Sequence, residues 1–272
     1  MEHHSPDKKY FEYFDYYEDT AVLFGEAAFT QLGEELMLKK AGTLMVIMGG
    51  ENSSFKSGAH QAFINMISGF DIETSTFSNV PPEPDVECIR SIVKEMEQVH
   101  PDTVAAMGGG SVMDAAKAAY LSWQTGMDVT KLWGVNAASK LFPDSEFDRV
   151  ICIPTTAGTG SEVTPYANIV DLKTDLKYII VEDQIVPKLA LVDYEFSRSM
   201  PRMLTISTAL DALTHSIESL LNTKAVNAHP LAEEWAIMSV KLVRYALPRI
   251  LEDPENELCR EFLAAAATLG GM

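Results

Sequence analysis

Two spacings of apolar residues alternate along the chain up to about residue 197. Short continuous apolar runs predict buried strands, and longer segments with an apolar residue every three or four positions predict helices. The expected strands are Thr43–Met48, Ile72–Phe77, Thr103–Met107, Val150–Ile153 and Leu189–Val192, with Tyr178–Val181 as a weaker one. The expected helices are Ser57–Gly69, Asp85–Val99 and Ser111–Trp123. This alternation predicts a mostly parallel sheet with helices on both faces.

The pattern changes near Ser197–Arg202, beyond which only helical spacings occur. The helices expected there are Thr205–Asn222, Leu231–Ile250 and Glu255–Leu269. Pro254 suits the start of the last one, because proline is tolerated in a first helical turn. We therefore expect an α/β, Rossmann-like domain over residues 1–198 and an all-helical domain over 199–272. The apolar, alanine-rich segment Leu263–Leu269 has no predicted partner, so we expect the helical domain to be incomplete.

Composition narrows the class of protein. Apolar residues make up 47% of the 272 residues and charged residues 22%, which is ordinary globular usage. The net charge of -18 argues against nucleic acid and an anionic membrane surface as partners. The amino terminus lacks the apolar region of a signal peptide, and no apolar run approaches the roughly 20 residues that span a bilayer. Three widely separated cysteines favour a reducing compartment, so we expect a cytoplasmic protein.

Two loops rich in glycine and hydroxyl groups follow predicted strands. Gly108–Ser111 lies between a strand and a helix, where glycine lets the backbone approach a ligand and the helix start attracts a pyrophosphate. This is not the GxGxxG fingerprint, and a plain glycine turn is the alternative. Pro154–Thr164 follows another strand and should face the same crevice. Asp114 and Lys117, one helical turn apart, are expected to form a surface ion pair.

A third loop, Met48–Ser54, follows the first strand. Nucleotide-binding folds often place an acidic residue near this point to bind the ribose 2′-hydroxyl group. Gly49 stands at that position and leaves room for a 2′-phosphate. The sequence therefore favours NADP, although Glu51 is close enough to serve NAD instead.

Asp211 and His215 are spaced for one face of a helix, with Cβ atoms about 5–6 Å apart. A carboxylate oxygen and an imidazole nitrogen at that spacing suit one divalent metal ion. A helix ion pair or a hydrogen-bonded core histidine is the alternative for an isolated pair. Catalytic metal sites usually have three protein ligands. The remaining candidates do not complete such a site: His60, His100, His229 and Cys259.

Taken together, three motifs resemble the iron-type (group III) alcohol dehydrogenases. They are GGGSVMDAAK at Gly108–Lys117, PTTAGTGSEVT at Pro154–Thr164 and DALTHSIES at Asp211–Ser219. The resemblance runs from about Tyr10 to the end of the chain. It implies an NAD(P)-binding α/β domain, a helical metal-binding domain, and hydride transfer between NAD(P)(H) and a small alcohol or aldehyde.

The resemblance also implies roles for individual residues. Asp211 and His215 match the first two metal ligands of the family, with iron expected and zinc as the alternative. The remaining two ligands of the family are histidines of a later segment, so we expect this chain to be truncated and, alone, weak in metal binding and turnover. Besides Gly49, the residues expected to contact the cofactor are Gly109, Gly110, Ser111, Thr155, Thr156, Thr159 and Lys177.

Other functions stay open at this point. One is an inactive, truncated nucleotide-binding or assembly protein. Another is a dehydroquinate synthase-like lyase on the same architecture, which the acidic charge balance and the DALTH motif disfavour. A small-molecule substrate and a homo-oligomeric assembly are expected.

Overall fold

A single parallel sheet forms the centre of the amino-terminal part of the molecule. The computed structural model describes residues 20–222 and 229–272, apart from the side chains of Glu51 and Asn52. Its strands are β1 (Ala21–Phe24), β2 (Thr43–Gly49), β3 (Glu73–Val80), β4 (Thr103–Gly108), β5 (Gly134–Val135), β6 (Ile151–Pro154), β7 (Tyr166–Asp171), β8 (Leu176–Val181) and β9 (Leu189–Val192). Six of them pair in the order β1-β9-β6-β4-β2-β3, all parallel. The other three form a small sheet, β5-β8-β7.

Helices cover both faces of the large sheet, as predicted. They are α1 (Gln31–Lys39), α2 (Ala59–Ile67), α3 (Val86–Val99), α4 (Gly110–Thr125), α5 (Ala137–Leu141), α6 (Arg202–Leu221), α7 (Pro230–Glu252) and α8 (Glu257–Gly271). Side chains alternate along β2, so Met45 and Ile47 join the core under α3 and α4, whereas Val46 and Met48 join the core under α1 and α2. Both sets are fully buried, which explains the continuous apolar run.

All of the predicted strands and helices are present, and their ends differ by a few residues. Asp85, predicted as the first helical residue, is instead the N-cap of α3 and accepts a hydrogen bond from the Cys88 N–H at 2.8 Å. The last helix, predicted to begin at Glu255 beside Pro254, begins instead at Glu257. Asn256 caps α8 by accepting from the Cys259 N–H at 3.0 Å. The elements that sequence reasoning missed are β1, β5, β7, α1 and α5.

The carboxyl-terminal part consists of α6, α7 and α8, which pack on one another. The expectation that the alanine-rich end of α8 lacks a partner is wrong. Leu263, Ala264 and Ala267 are buried in a core shared with Ala212 of α6 and Val243 of α7. Small side chains let these helices approach closely. Within residues 20–222 and 229–272, no helix is both long and apolar enough to cross a membrane. The predicted boundary at 198/199 lies between β9 and α6 and stays a prediction.

Candidate functional site

The order of the strands marks one place at the carboxyl edge of the large sheet. From β2 the chain passes to β3 on one side, and it then returns as β4 on the other side. Ligands of open α/β sheets bind at such a reversal of strand order, outside the carboxyl ends of the strands. Gly49 ends β2 and Gly108 ends β4. Pro154 at the end of β6 pairs with Gly108, and the Thr155 N–H donates to the Gly108 carbonyl at 2.9 Å.

Two glycines let the second predicted loop, Pro154–Thr164, lie directly on the start of α4. A Cβ atom on Gly109 would stand 3.1 Å from Thr156 Oγ1, and one on Gly110 would stand 2.7 Å from Thr159 Cγ2. The φ angle of Gly109 is −83°, which any residue adopts. A side chain at Gly110 would therefore force Thr159 to shift, and one at Gly109 would press on Thr156.

The start of α4 is suited to an anion. Its N-cap, Gly109, has no side chain, so the first-turn N–H groups and the positive end of the helix dipole are directed outward. Ser111 Oγ accepts a hydrogen bond from the Glu83 N–H at 3.2 Å. Lys177 Nζ lies 2.6 Å from Glu83 Oε1, and this contact lowers the pKa of the Glu83 carboxyl. Lys177 on β8 is thus positioned beside the helix start.

Gly49 lies against a turn that carries hydroxyl groups. Its N–H donates to Ser54 Oγ at 3.2 Å. A Cβ atom at Gly49 would stand 2.7 Å from Ser53 Oγ and 3.5 Å from Val112 in the first turns of α4. A serine hydroxyl therefore lies beside Gly49, where nucleotide-binding folds often have a carboxylate. The side chain of Glu51 lies outside the described part of the structure.

Asp211 and His215 lie on one face of α6, as their spacing predicts. His215 Nε2 is 3.6 Å from Asp211 Oδ1, and the two side chains are 41% and 42% exposed, respectively. That exposure excludes the core histidine alternative. One oxygen and one nitrogen donor suit iron or zinc. Among residues 20–222 and 229–272, no group of three or more His, Cys, Asp or Glu side chains could hold a metal ion. The pair therefore fits part of a metal site.

One cleft of about 770 Å³ brings most of the predicted residues together. Its lining includes Gly110, Ser111, Thr159, Lys177, Asp211 and His215. The other candidates within the described residues do not line this cleft: Gly49, Gly109, Thr155 and Thr156. Thr155 is buried at the start of the second loop, and Thr156 of the same loop packs over Gly109. The start of α4 and the Asp211–His215 pair thus face one another across a shared space.

Asp114 and Lys117 form the ion pair that their spacing predicts, with Nζ 3.6 Å from Oδ1, but the predicted surface location is wrong because the pair is buried. Lys117 is 1% exposed and Asp114 8%. The Lys117 ammonium is surrounded by Ser161, Thr164 and Asp114, because α4 is enclosed by the large sheet, the second loop and β7. A signal for this was present in the sequence. Alanines flank Lys117 on both sides, at residues 115, 116, 118 and 119, and so many small side chains are typical of a helix packed on all faces.

Sequence reasoning also missed two contacts between the second loop and the carboxyl-terminal helices. Glu162 is buried, and its Oε1 accepts a hydrogen bond from Thr268 Oγ1 of α8 at 2.9 Å. Burial raises the pKa of this carboxyl. A Cβ atom on Gly158 would stand 2.5 Å from the Cβ atom of Thr208 in α6. The loop over α4 therefore also rests on the helix that carries Asp211.

Comparison with known families agrees with this geometry. Residues 19–194 match the family model "Iron-containing alcohol dehydrogenase", and residues 205–272 match "Fe-containing alcohol dehydrogenase family, C-terminal". The chain belongs to the iron-containing alcohol dehydrogenase family. The predicted resemblance is thereby confirmed.

Individual relatives in this family are about 30% identical to the chain over the aligned residues. It is 32% identical over 259 residues to the NADPH-dependent butanol dehydrogenase of Clostridium saccharobutylicum, covering 92% of this chain and 62% of that protein. It is 30% identical over 253 residues to the NAD-dependent methanol dehydrogenase of Bacillus methanolicus, covering 93% of this chain and 64% of that protein. The chain thus spans less than two thirds of the length of these relatives.

Solved structures of the family confirm the predicted fold class. The crystal structure of sulfoacetaldehyde reductase from Bifidobacterium kashiwanohense in complex with NAD+ superposes with a TM-score of 0.82 at 28% identity. The match covers 96% of this chain and 66% of that one. The Rossmann-like sheet followed by helices is therefore the fold of this family. The individual cofactor and metal residues stay predictions.

Proposed function

We propose that this chain is the nucleotide-binding and part of the metal-binding portion of an alcohol dehydrogenase or aldehyde reductase. Its reaction exchanges a hydride between NAD(P)(H) and a small alcohol or aldehyde. The observation that carries the proposal is the single cleft lined by the first turn of α4 on one side and by Asp211 and His215 on the other. The names of the family relatives support it. No observation favours the lyase or the inactive assembly protein.

The cofactor proposal assigns a contact to each predicted cofactor residue that lines the cleft. The start of α4, with Gly110 and Ser111, would bind the pyrophosphate, and Thr159 of the second loop would contact it from the other side. Lys177 would approach the ribose. The bound nicotinamide supplies the hydride acceptor or donor. Gly49 presents no carboxylate to repel a 2′-phosphate, so NADPH should bind at least as well as NADH.

The metal proposal rests on the donor chemistry of Asp211 and His215. A divalent ion, iron first and zinc second, would act there as a Lewis acid on the substrate oxygen. Two protein ligands provide little of the chelation of a complete site. We therefore expect the 272 residues alone to hold the ion weakly and to turn over poorly. A cytoplasmic location and a homo-oligomeric assembly remain part of the proposal.

Nucleotide binding is the direct test. Calorimetry on the purified chain should show binding of NADPH, with an affinity no lower than that for NADH. Gly109→Val should weaken it at least about tenfold, roughly 1.4 kcal/mol, because the added side chain must displace Thr156. Gly69→Val is the matched control, since a Cβ atom at that exposed turn meets its nearest neighbour, Met66 O, at an ordinary 3.6 Å.

Two results would count against the proposal. Absence of any binding of NADPH and NADH would remove its basis. A preference for NADH of about tenfold or more would refute the role given to Gly49. A further assay adds ferrous or zinc ion and a short aldehyde. Turnover of about 1–10³ per second by the 272 residues would show that the expected weakness of the metal site is wrong.

A further inference from the structure

We propose that Lys117 is a positioning residue that fixes the second loop over the start of α4 and thereby sets the affinity for the nucleotide. This inference rests on the proposed function. It concerns a side chain that does not reach the cofactor itself, because Lys117 lies beneath the loop, with its side chain fully buried. Its hydrogen bonds show what it holds.

The ammonium group of Lys117 uses all of its donors on one segment of chain. It has three N–H donors and no acceptor. Nζ donates to the carbonyl oxygen of Ser161 at 3.0 Å, to Ser161 Oγ at 2.7 Å and to the carbonyl oxygen of Thr164 at 3.2 Å. A buried ammonium group is costly unless every donor is satisfied. The backbone of residues 161–164 is thus held in the conformation that presents these acceptors.

Asp114 supplies the opposite charge and extends the network. Its Oδ1 lies 3.6 Å from Lys117 Nζ and accepts from the Ser161 hydroxyl at 2.6 Å. Its Oδ2 accepts from the Asn168 N–H at 2.9 Å. The Ser161 hydroxyl therefore accepts from Lys117 and donates to Asp114, and the network joins α4, the second loop and β7.

The network reaches the cleft through Thr159. The Ser161 N–H donates to Thr159 Oγ1 at 3.2 Å, and Thr159 lies directly over Gly110 at the start of α4. A displacement of Ser161 therefore moves the residue that bounds the proposed pyrophosphate site. Packing alone does not call for a charge here, since apolar residues often replace a buried ion pair without loss of stability. The polar network is explained by the precise placement of the loop.

The first test removes the central hydroxyl and keeps both charges. Ser161→Ala should weaken NADPH binding about tenfold in calorimetry on the full chain. Ser239→Ala is the matched control: this buried hydroxyl accepts from Ser216 Oγ and donates to the Ala266 carbonyl at 2.8 Å each, so its hydrogen bonds join α6, α7 and α8 and none reaches the second loop. The control should lower the melting temperature similarly but change the affinity for NADPH by less than about twofold.

The second test separates positioning from stability. Lys117→Met leaves Asp114 buried without its counter-ion and should destabilise the fold. Adding Asp114→Asn removes that charge and should restore much of the melting temperature, while NADPH affinity stays about tenfold low. Recovery of affinity together with stability, or unchanged affinity in Ser161→Ala, would overturn this inference alone. Failure of the wild-type chain to bind NADPH and NADH would overturn the proposed function and this inference with it.

Discussion

The carboxyl group of Glu162 shows how burial changes one residue of a motif. Burial raises its pKa above the ordinary 4.5, against the opposing effects of its own backbone N–H and the Thr268 hydroxyl. The native protein therefore keeps this proton at pH values where the unfolded chain has lost it. Its contribution to stability is fully present below about pH 4.5 and is lost as the pH rises toward the raised pKa.

Glu162→Gln should remove this pH dependence, because glutamine keeps an oxygen acceptor for Thr268 and carries no charge. Relative to the wild type, the variant should gain stability between about pH 5 and pH 8. Urea unfolding of both proteins at the two pH values measures the change. Glu97→Gln, at an exposed position on α3, should show no such trend. An equal stability difference at both pH values for Glu162→Gln would contradict the argument.

At the scale of elements, the sequence predicted the strands and helices whose burial produces a local pattern of apolar residues. Strands buried on both faces, such as β2 and β4, appear as continuous apolar runs. The strand β7 was missed because its buried residues Ala167 and Ile169 alternate with partly or fully exposed ones. The edge strand β1 was missed although Ala21–Phe24 is a short apolar run, and its residues Leu23 and Phe24 are exposed at the edge of the sheet.

The candidate site likewise combines local features that the sequence shows with contacts between distant residues that it does not show. The helical spacing of Asp211 and His215, and the glycine loops behind strands, are local features that the sequence carries. The contacts that hold these parts together join distant residues, such as Glu162 with Thr268 and Lys117 with Ser161. No spacing along the chain encodes such contacts. The alanines beside Lys117 indicate a packed helix, but only the fold shows which groups Lys117 contacts.

The contact between Gly158 and α6 predicts that the second loop places α6, the helix that carries Asp211 and His215. A Cβ atom at Gly158 would stand 2.5 Å from Thr208 Cβ and 2.7 Å from the Thr208 carbonyl oxygen, so the helix backbone must shift. Gly158→Ala should cost about 1–3 kcal/mol of stability. Because Asp211 follows Thr208 by less than one turn, zinc affinity measured by competition with a chelating dye should also fall. Gly69→Ala should change neither property.

The two measurements on Gly158→Ala separate placement from packing. A loss of stability with unchanged zinc affinity would show that Asp211 keeps its position when the loop is strained. In that case the loop would contribute to the packing of α6 without placing Asp211 and His215.

At the scale of the whole molecule, charge is the property that most affects the binding of an anionic cofactor. The net charge is -18. The described lining of the cleft carries the acidic residues Glu83, Asp211 and Glu218, in addition to Asp114, which is paired with the buried Lys117, and, among lysines and arginines, Lys177. Without a bound cation, this surface opposes the phosphates of NADPH. A divalent ion at Asp211 and His215 would offset two negative charges inside the cleft, where salt screens less than at an open surface.

We therefore predict that divalent ion and nucleotide reinforce each other. Saturating zinc should raise the affinity for NADPH, and NADPH should raise zinc affinity by the same factor, because coupling between two binding equilibria is reciprocal. Calorimetry in each order of addition measures both factors, and added salt should reduce them. His215→Ala is the control, since zinc that merely binds the phosphates of NADPH would act equally on this variant. An NADPH affinity that does not change with zinc in the wild type would show that the helix start and Lys177 already outweigh the acidic lining.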